Sequence, residues 1–207
     1  MVRPDRFLAA DDKERILAAV REAESRTSGE IRVLIVGRSA PRLILVPLVL
    51  GALAGVLVYL WCVRLTWHHP GLFDVILSLA VGLVCAIAGM WVIPRSREAK
   101  DRAVWARAKR EFARLGIGKT SGSTGVLVML SLWEHEAVVL ADKAINEKVP
   151  PDTWSREVGI LLDGVKSGKP GEGIAAAVAE IGSLLAKHFP RRDDDVNELP
   201  DAVETGK

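Results

Sequence analysis

Apolar and charged positions interleave along most of this chain, but two stretches carry no charge at all. Between Arg42 and Arg64 lie 21 such residues, Leu43 to Val63. A helix of that length spans about 31 Å, which matches a hydrocarbon core of about 30 Å. A second run, Val75 to Ile93, gives 19 uncharged residues between Asp74 and Pro94–Arg95. Trp61, Trp67 and Trp91 sit near the ends of the runs, where amphipathic indoles favour the bilayer interface. Pro47 falls in the first turns of the first run, where a missing N–H costs little. Two helices that are apolar on every face are hard to cover in a chain of 207 residues. The pattern therefore predicts a transmembrane hairpin over 43–94 (spans 43–63 and 75–93) rather than a pair of core helices.

The flanks of the hairpin orient it. Arg38 and Arg42 precede the first span, and Arg95, Arg97, Lys100 and Arg102 follow the second. The loop between them carries only Arg64, Asp74 and the pair His68–His69. Positive-inside bias then places both termini in the cytoplasm, with a short turn outside an inner (plasma) membrane. Residues 1–30 are charged and lack the apolar core of a cleavable signal. Gly51 and Gly55 form a GxxxG on the first span, and Gly82, Ala86 and Gly89 lie on the second. Such small residues allow close helix packing and, through Gly51 and Gly55, a homo-oligomer.

Elsewhere the periodicity is that of a folded α/β domain. Ile16, Ala19, Val20 and Ala23 recur at helical spacing over 11–25, behind an Asp11-x-x-Glu14 with the offset of a capping box. Glu30 to Val36 reads as a strand with Ile31, Val33 and Ile35 on one face. After the hairpin, Val104, Ala108, Phe112 and Leu115 mark a helix over 97–115 that ends at Gly116 and Gly118. Two strands follow, 125–132 and 136–141, and then helices over about 152–166 and 172–188. This order predicts a small mixed sheet with helices on its faces, an α/β/α sandwich interrupted by the hairpin. Residues 1–42 supply one helix and one strand, too little to bury both faces of either, so 1–42 and 95–189 read as two parts of one domain. The remaining 190–207, with Asp193, Asp194, Asp195, Glu198, Asp201 and Glu204, reads as a mobile acidic tail.

Composition narrows the chemistry. Apolar residues at 49% and charged residues at 26% exclude a disordered chain. Cys62 and Cys85, the only cysteines, exclude a disulfide scaffold and a cysteine-built zinc site. A net charge of +2 gives no push toward nucleic acid.

The motifs mostly have a plain structural explanation. Gly118-Lys119-Thr120 follows a helix and precedes a strand, the reverse of a phosphate-binding loop, and position 113 is Ala where that loop needs Gly. Asp193-x-Asp195-x-Asn197 partly imitates a calcium loop, but Glu198 stands where the sharp turn needs Gly. His68 and His69 have no carboxylates beside them, and His135 falls in a turn between strands. Ser121-Gly122-Ser123-Thr124-Gly125 lacks the strand–turn–helix setting of a nucleophile elbow. Glu30, Asp142 and Glu147 lie at or just beyond strand ends, where ligands of such sheets bind. Asp142 and Glu30 are the candidate metal-contacting residues, with helix capping the competing role for Asp142.

Several segments resemble a TPM domain, the family of thylakoid-lumen phosphatase-like proteins and their membrane-inserted bacterial relatives. They are Phe7-Leu8-Ala9-Ala10-Asp11-Asp12, Ala23 to Ile31, Phe112 to Thr120 with Gly125 to Val128, and His188-Phe189-Pro190 with Asp195 to Pro200. Together they cover nearly all of the chain outside the hairpin. The resemblance implies an α/β/α sandwich and a loose range of functions. These include assistance to photosystem repair, receptor-auxiliary roles and a weak acid phosphatase with divalent-metal sites. Two features depart from the family pattern: the missing signal peptide, and Arg3 near a place where many relatives carry an aspartate. The expectation is a non-enzymatic, membrane-anchored interaction module that assists assembly, repair or quality control of a membrane protein complex. The alternative is a phosphatase-like hydrolase of low activity, using a divalent cation such as calcium at Glu30 or Asp142.

Overall fold

The computed structural model describes residues 4–40, 45–66, 71–92, 97–150, 153–192, 197–200 and 202–206. They fall into two compact units, Met1–Ala40 with Lys100–Lys207 and Pro41–Ala99. The borders lie a few residues outside those read from the charge pattern, at 40 and 100 instead of 42 and 95.

The first unit is built on a four-stranded sheet. Its strands are β1 (Glu30–Val36), β2 (Gly125–Ser131), β3 (Glu136–Ala141) and β4 (Val203–Gly206), in the order β3-β2-β1-β4. β1 pairs parallel with both β2 and β4, and β2 pairs antiparallel with β3. All seven residues of β1 are buried, as expected of a central strand covered on both faces. Ile31, Val33 and Ile35 share one core with Ile16 and Val20 of α1 (Ala10–Glu24). The same core takes Leu161 of α6 (Trp154–Lys166) and Ile174, Val178 and Ile181 of α7 (Pro170–His188). Leu34 and Val36 point the other way, into a core with Leu127, Met129 and Val104 and Ala108 of α4 (Arg97–Arg114). Each such side chain contributes roughly 2 kcal/mol by leaving water. The result is the α/β/α sandwich that the order of elements predicts.

Three local details differ from the sequence reading. The cap of α1 is Ala9, whose N–H donates to the Asp12 carboxylate at 3.4 Å, so the expected pairing of Asp11 with Glu14 does not form. A short helix, α5 (Lys143–Lys148), follows β3; six residues are too few to show a helical period. Most consequential is the C-terminal segment, where the expected mobile tail is corrected. Val203–Gly206 is the edge strand β4, in register with Val33 to Val36.

An ionic network explains why an acidic segment docks there. Arg32 of β1 is 4% exposed, and Glu204 of β4 supplies its carboxylate partner. The second oxygen of Glu204 lies 3.2 Å from Arg114, which in turn pairs with Glu111, itself 2.7 Å from Arg107. Without β4, a buried guanidinium and an unpaired sheet edge would both be left unsatisfied.

The second unit is a helical hairpin, α2 (Leu45–Thr66) and α3 (Leu72–Val92). Each helix contains a window long and apolar enough to cross a membrane, Val46–Arg64 and Leu72–Gly89, and 11% of each window is buried. A core helix of a soluble protein would be mostly buried, whereas here Leu57 is 67% and Phe73 75% exposed. The contact between α2 and α3 is made by small residues. A Cβ added to Gly51 would stand 2.6 Å from that of Ala86, and one added to Gly55 would stand 2.9 Å from the Ser78 carbonyl. The contact that this GxxxG makes is thus inside the hairpin. Trp67 and the pair His68–His69 lie outside the described residues.

Candidate functional site

A polar cleft opens at the N-terminal end of β1, between the end of α1 and the chain leaving α7. Thr27 organises it: its hydroxyl donates to the Phe189 carbonyl at 2.6 Å and accepts from the Gly29 N–H at 3.1 Å. The Ser28 N–H donates to the same carbonyl and the Arg191 N–H to the Arg26 carbonyl, so the segment after α7 is laced to the α1–β1 loop. The cleft has a volume of about 130 Å³ and is lined by Arg21, Glu24, Thr27, Glu30, Arg191 and Asn197.

Both carboxylates of the cleft serve the backbone. Glu24 accepts from the Ile31 N–H at 2.8 Å and so caps the first residues of β1. Glu30 accepts from the Glu198 N–H at 3.2 Å. Glu198 reaches on to Ser121, accepting from its N–H at 2.9 Å and its hydroxyl at 2.6 Å. Those bonds hold the Glu198 carboxyl below the usual carboxylate range, chiefly through the Ser121 hydroxyl. Pairs of guanidinium and carboxylate groups around one small cavity suit a polar ligand with both donors and acceptors.

Asp142 lies at the same end of the sheet but belongs to another arrangement. Its N–H donates to the Gly125 carbonyl at 2.9 Å, and Gly125 is the register partner of Glu30. Glu30, Gly125 and Asp142 therefore form a row across three strands, with the backbones of the two acidic residues about 10 Å apart across the sheet. One Asp142 oxygen accepts from the Lys143 N–H at 2.7 Å, the helix cap of α5. Its other oxygen is buried with no hydrogen-bond partner among the described residues. Gly125 has to be glycine in this row, because a Cβ there would collide with the Ile117 carbonyl.

The expected metal pair, Glu30 and Asp142, is thus placed at one sheet end with separate hydrogen-bond partners. Among the described residues no three His, Cys, Asp or Glu side chains gather to hold a metal ion. Calcium takes six to eight oxygens, more than the described acidic side chains bring together. Residues 193–196 of the acidic run lie outside the described residues. Gly118 and Lys119 belong to a 3-10 turn, Ile117–Lys119, with Thr120 capping its end, between α4 and β2, the loop setting its sequence predicts.

One anchoring residue escaped the sequence reading. Glu134, in the β2–β3 turn, is 3% exposed and accepts from the Ser39 and Ala40 N–H groups at 3.0 Å each. The Ser131 hydroxyl donates to it at 2.5 Å. In sequence the only signal is an acidic residue in a turn, which normally faces water.

Fold and sequence together define a class: an α/β/α sandwich with a two-helix apolar hairpin inserted in the crossover from β1 to β2. No family model matches the chain, and no curated protein matches it. Among solved structures it is similar to the NMR structure of the BA42 protein from the psychrophilic bacterium Bizionia argentinensis. That likeness has a TM-score of 0.64 and 24% identity over 100% of both chains, and it speaks for a shared fold.

Proposed function

We propose that this chain is a membrane-anchored, TPM-like interaction module that assists assembly, repair or quality control of a membrane protein complex. Its α/β unit and both termini lie on the cytoplasmic side of the inner membrane. The observation that carries this reading is the hairpin itself: two apolar helices, 11% buried, inserted between the two central strands of a folded unit. An insertion there ties the sheet to the bilayer through its crossover, and the polar cleft at Glu30 is the surface proposed for a partner. The basic residues on both sides of the hairpin support this orientation. Reporter fusions at both termini and within 65–73 test the topology, and the reading requires cytoplasmic activity at the ends and external activity in the loop. Crosslinking on membranes, followed by purification, should recover one recurrent membrane-complex partner whose yield drops with Glu30→Ala. Recovery of the same background proteins with and without the bait would reject the module.

A second reading, a phosphatase-like hydrolase, draws on Arg21 and Arg191 standing with Glu30 in one cleft, since guanidinium groups suit phosphoryl oxygens. Its test is turnover of a phosphomonoester with and without added calcium or magnesium. Turnover unaffected by Glu30→Gln would rule out this site.

A further inference from the structure

The β2–β3 turn presents an exposed tryptophan paired with an arginine. Trp133 is 54% exposed, and the Arg38 guanidinium lies over its ring at 5.0 Å from the centroid. The Arg38 Nε is shielded from solvent and has no acceptor among the described residues. Glu134 does not supply one, because its oxygens take the Ser39 and Ala40 N–H groups and the Ser131 hydroxyl.

The pair is held rigidly. The Leu132 N–H donates to the Val36 carbonyl at 3.0 Å and the Trp133 N–H to the Gly37 carbonyl at 3.1 Å. With the two bonds to Glu134, residues 36–40 are zipped along the turn. Only Pro41 and Arg42 then separate Ala40 from the uncharged stretch that begins at Leu43. The turn is therefore fastened to the last residues before the chain enters its apolar helix.

We infer that Trp133 and Arg38 form a contact surface for the anionic phospholipid headgroups of the cytoplasmic leaflet. The inference rests on the membrane-anchored reading. Three features select a bilayer as the occupant. An indole with an apolar body and one N–H donor partitions to the headgroup level. A guanidinium with no carboxylate against it among the described residues matches a phosphodiester in charge. Ala40 stands three positions before the uncharged stretch, a reach of about 10 Å, so lipid is the partner that the chain's own tether supplies.

The test uses the full chain in vesicles of zwitterionic and anionic phospholipid. The native thiols Cys62 and Cys85 are replaced by alanine, and one cysteine is introduced as Glu136→Cys, beside the turn, or as Lys119→Cys. Lys119 precedes β2 and the turn follows it, and the seven-residue strand between them is about 20 Å long. Each carries an environment-sensitive fluorophore, with nitroxide lipids labelled at the headgroup as quenchers. A third sample retains only Cys85 and is read against lipids labelled deep in the chain.

Quenching at position 136 should exceed that at 119 by about threefold. Trp133→Ala should halve it roughly, and Arg38→Gln should lower its dependence on anionic lipid about fivefold, which Arg38→Lys retains in part. Equal quenching at 136 and 119 with Cys85 quenched overturns this inference and leaves the anchored reading standing. An unquenched Cys85 removes both.

Discussion

The Ser39 N–H donates to the Glu134 carboxylate across 95 positions of sequence, and the hairpin's first helix begins just beyond it. One buried acid in a turn thereby fixes where the chain leaves the sheet.

Removing that acid is expected to loosen the departure point. Glu134→Ala leaves the Ser39 and Ala40 N–H groups without their acceptor and should cost about 2 kcal/mol or more. Thermal unfolding of the full chain in detergent measures the loss. Protease sensitivity between 37 and 42 should rise in parallel.

Acid should act through the same residue and through Glu111. Burial pushes the Glu134 carboxyl up, but bonds from Ser131, Ala40 and Ser39 outweigh it and set it below its ordinary value. For Glu111, burial also pushes up, and Arg114 and Arg107 outweigh it. A carboxyl lowered in the folded state stabilises above its unfolded pKa and loses that contribution as pH falls through the folded value. Stability should therefore be level near neutrality and decline below the usual glutamate range. The decline should be shallower in Glu134→Gln or Glu111→Gln, read from melting temperatures between pH 7 and pH 3.

The C-terminal strand should be structural in spite of its charge. Glu204→Ala strands Arg32 in a buried setting and is expected to cost about 3 kcal/mol. Combining it with Arg32→Leu should recover much of that loss, because the uncompensated charge then disappears. A double-mutant cycle on unfolding free energies decides it; additive losses would show that the two side chains act separately.

Asp142 should behave as a cap. Asp142→Ala is expected to cost about 1 kcal/mol, and Asp142→Asn only a few tenths, because the amide oxygen still accepts from the Lys143 N–H. If Asp142 instead held a cation, Asn would be as damaging as Ala and calcium would raise the melting temperature of the parent chain alone.

The hairpin contact should depend on its small residues. A side chain at Gly51 meets Ala86 and the Gly82 carbonyl, so Gly51→Val must push α2 and α3 apart. Crosslinking between cysteines placed across the two helices should fall several-fold. Light scattering in detergent then shows whether the same change alters the number of copies.

Much of this protein was legible along the chain. The two uncharged runs mark the hairpin because a stretch about as long as a bilayer is thick is a local signal. The helices and strands of the sandwich follow from periods that reveal each buried face, down to Ile31, Val33 and Ile35 facing one core. The strand-end acids Glu30 and Asp142 were likewise readable as polar residues at one edge of a sheet.

What the chain could not disclose by itself was pairing at a distance. Val203–Gly206 reads as tail by composition and becomes strand because Arg32, 172 positions earlier, needs the Glu204 carboxylate. Glu134 looks like a solvated turn residue until folding brings two bare N–H groups to it. Whether Glu30 and Asp142 share a site depends on the registers of β1, β2 and β3, which place them two strands apart. Periodicity tells a residue which way to face, whereas the partner that balances its charge or hydrogen bonds exists only once the sheet has closed.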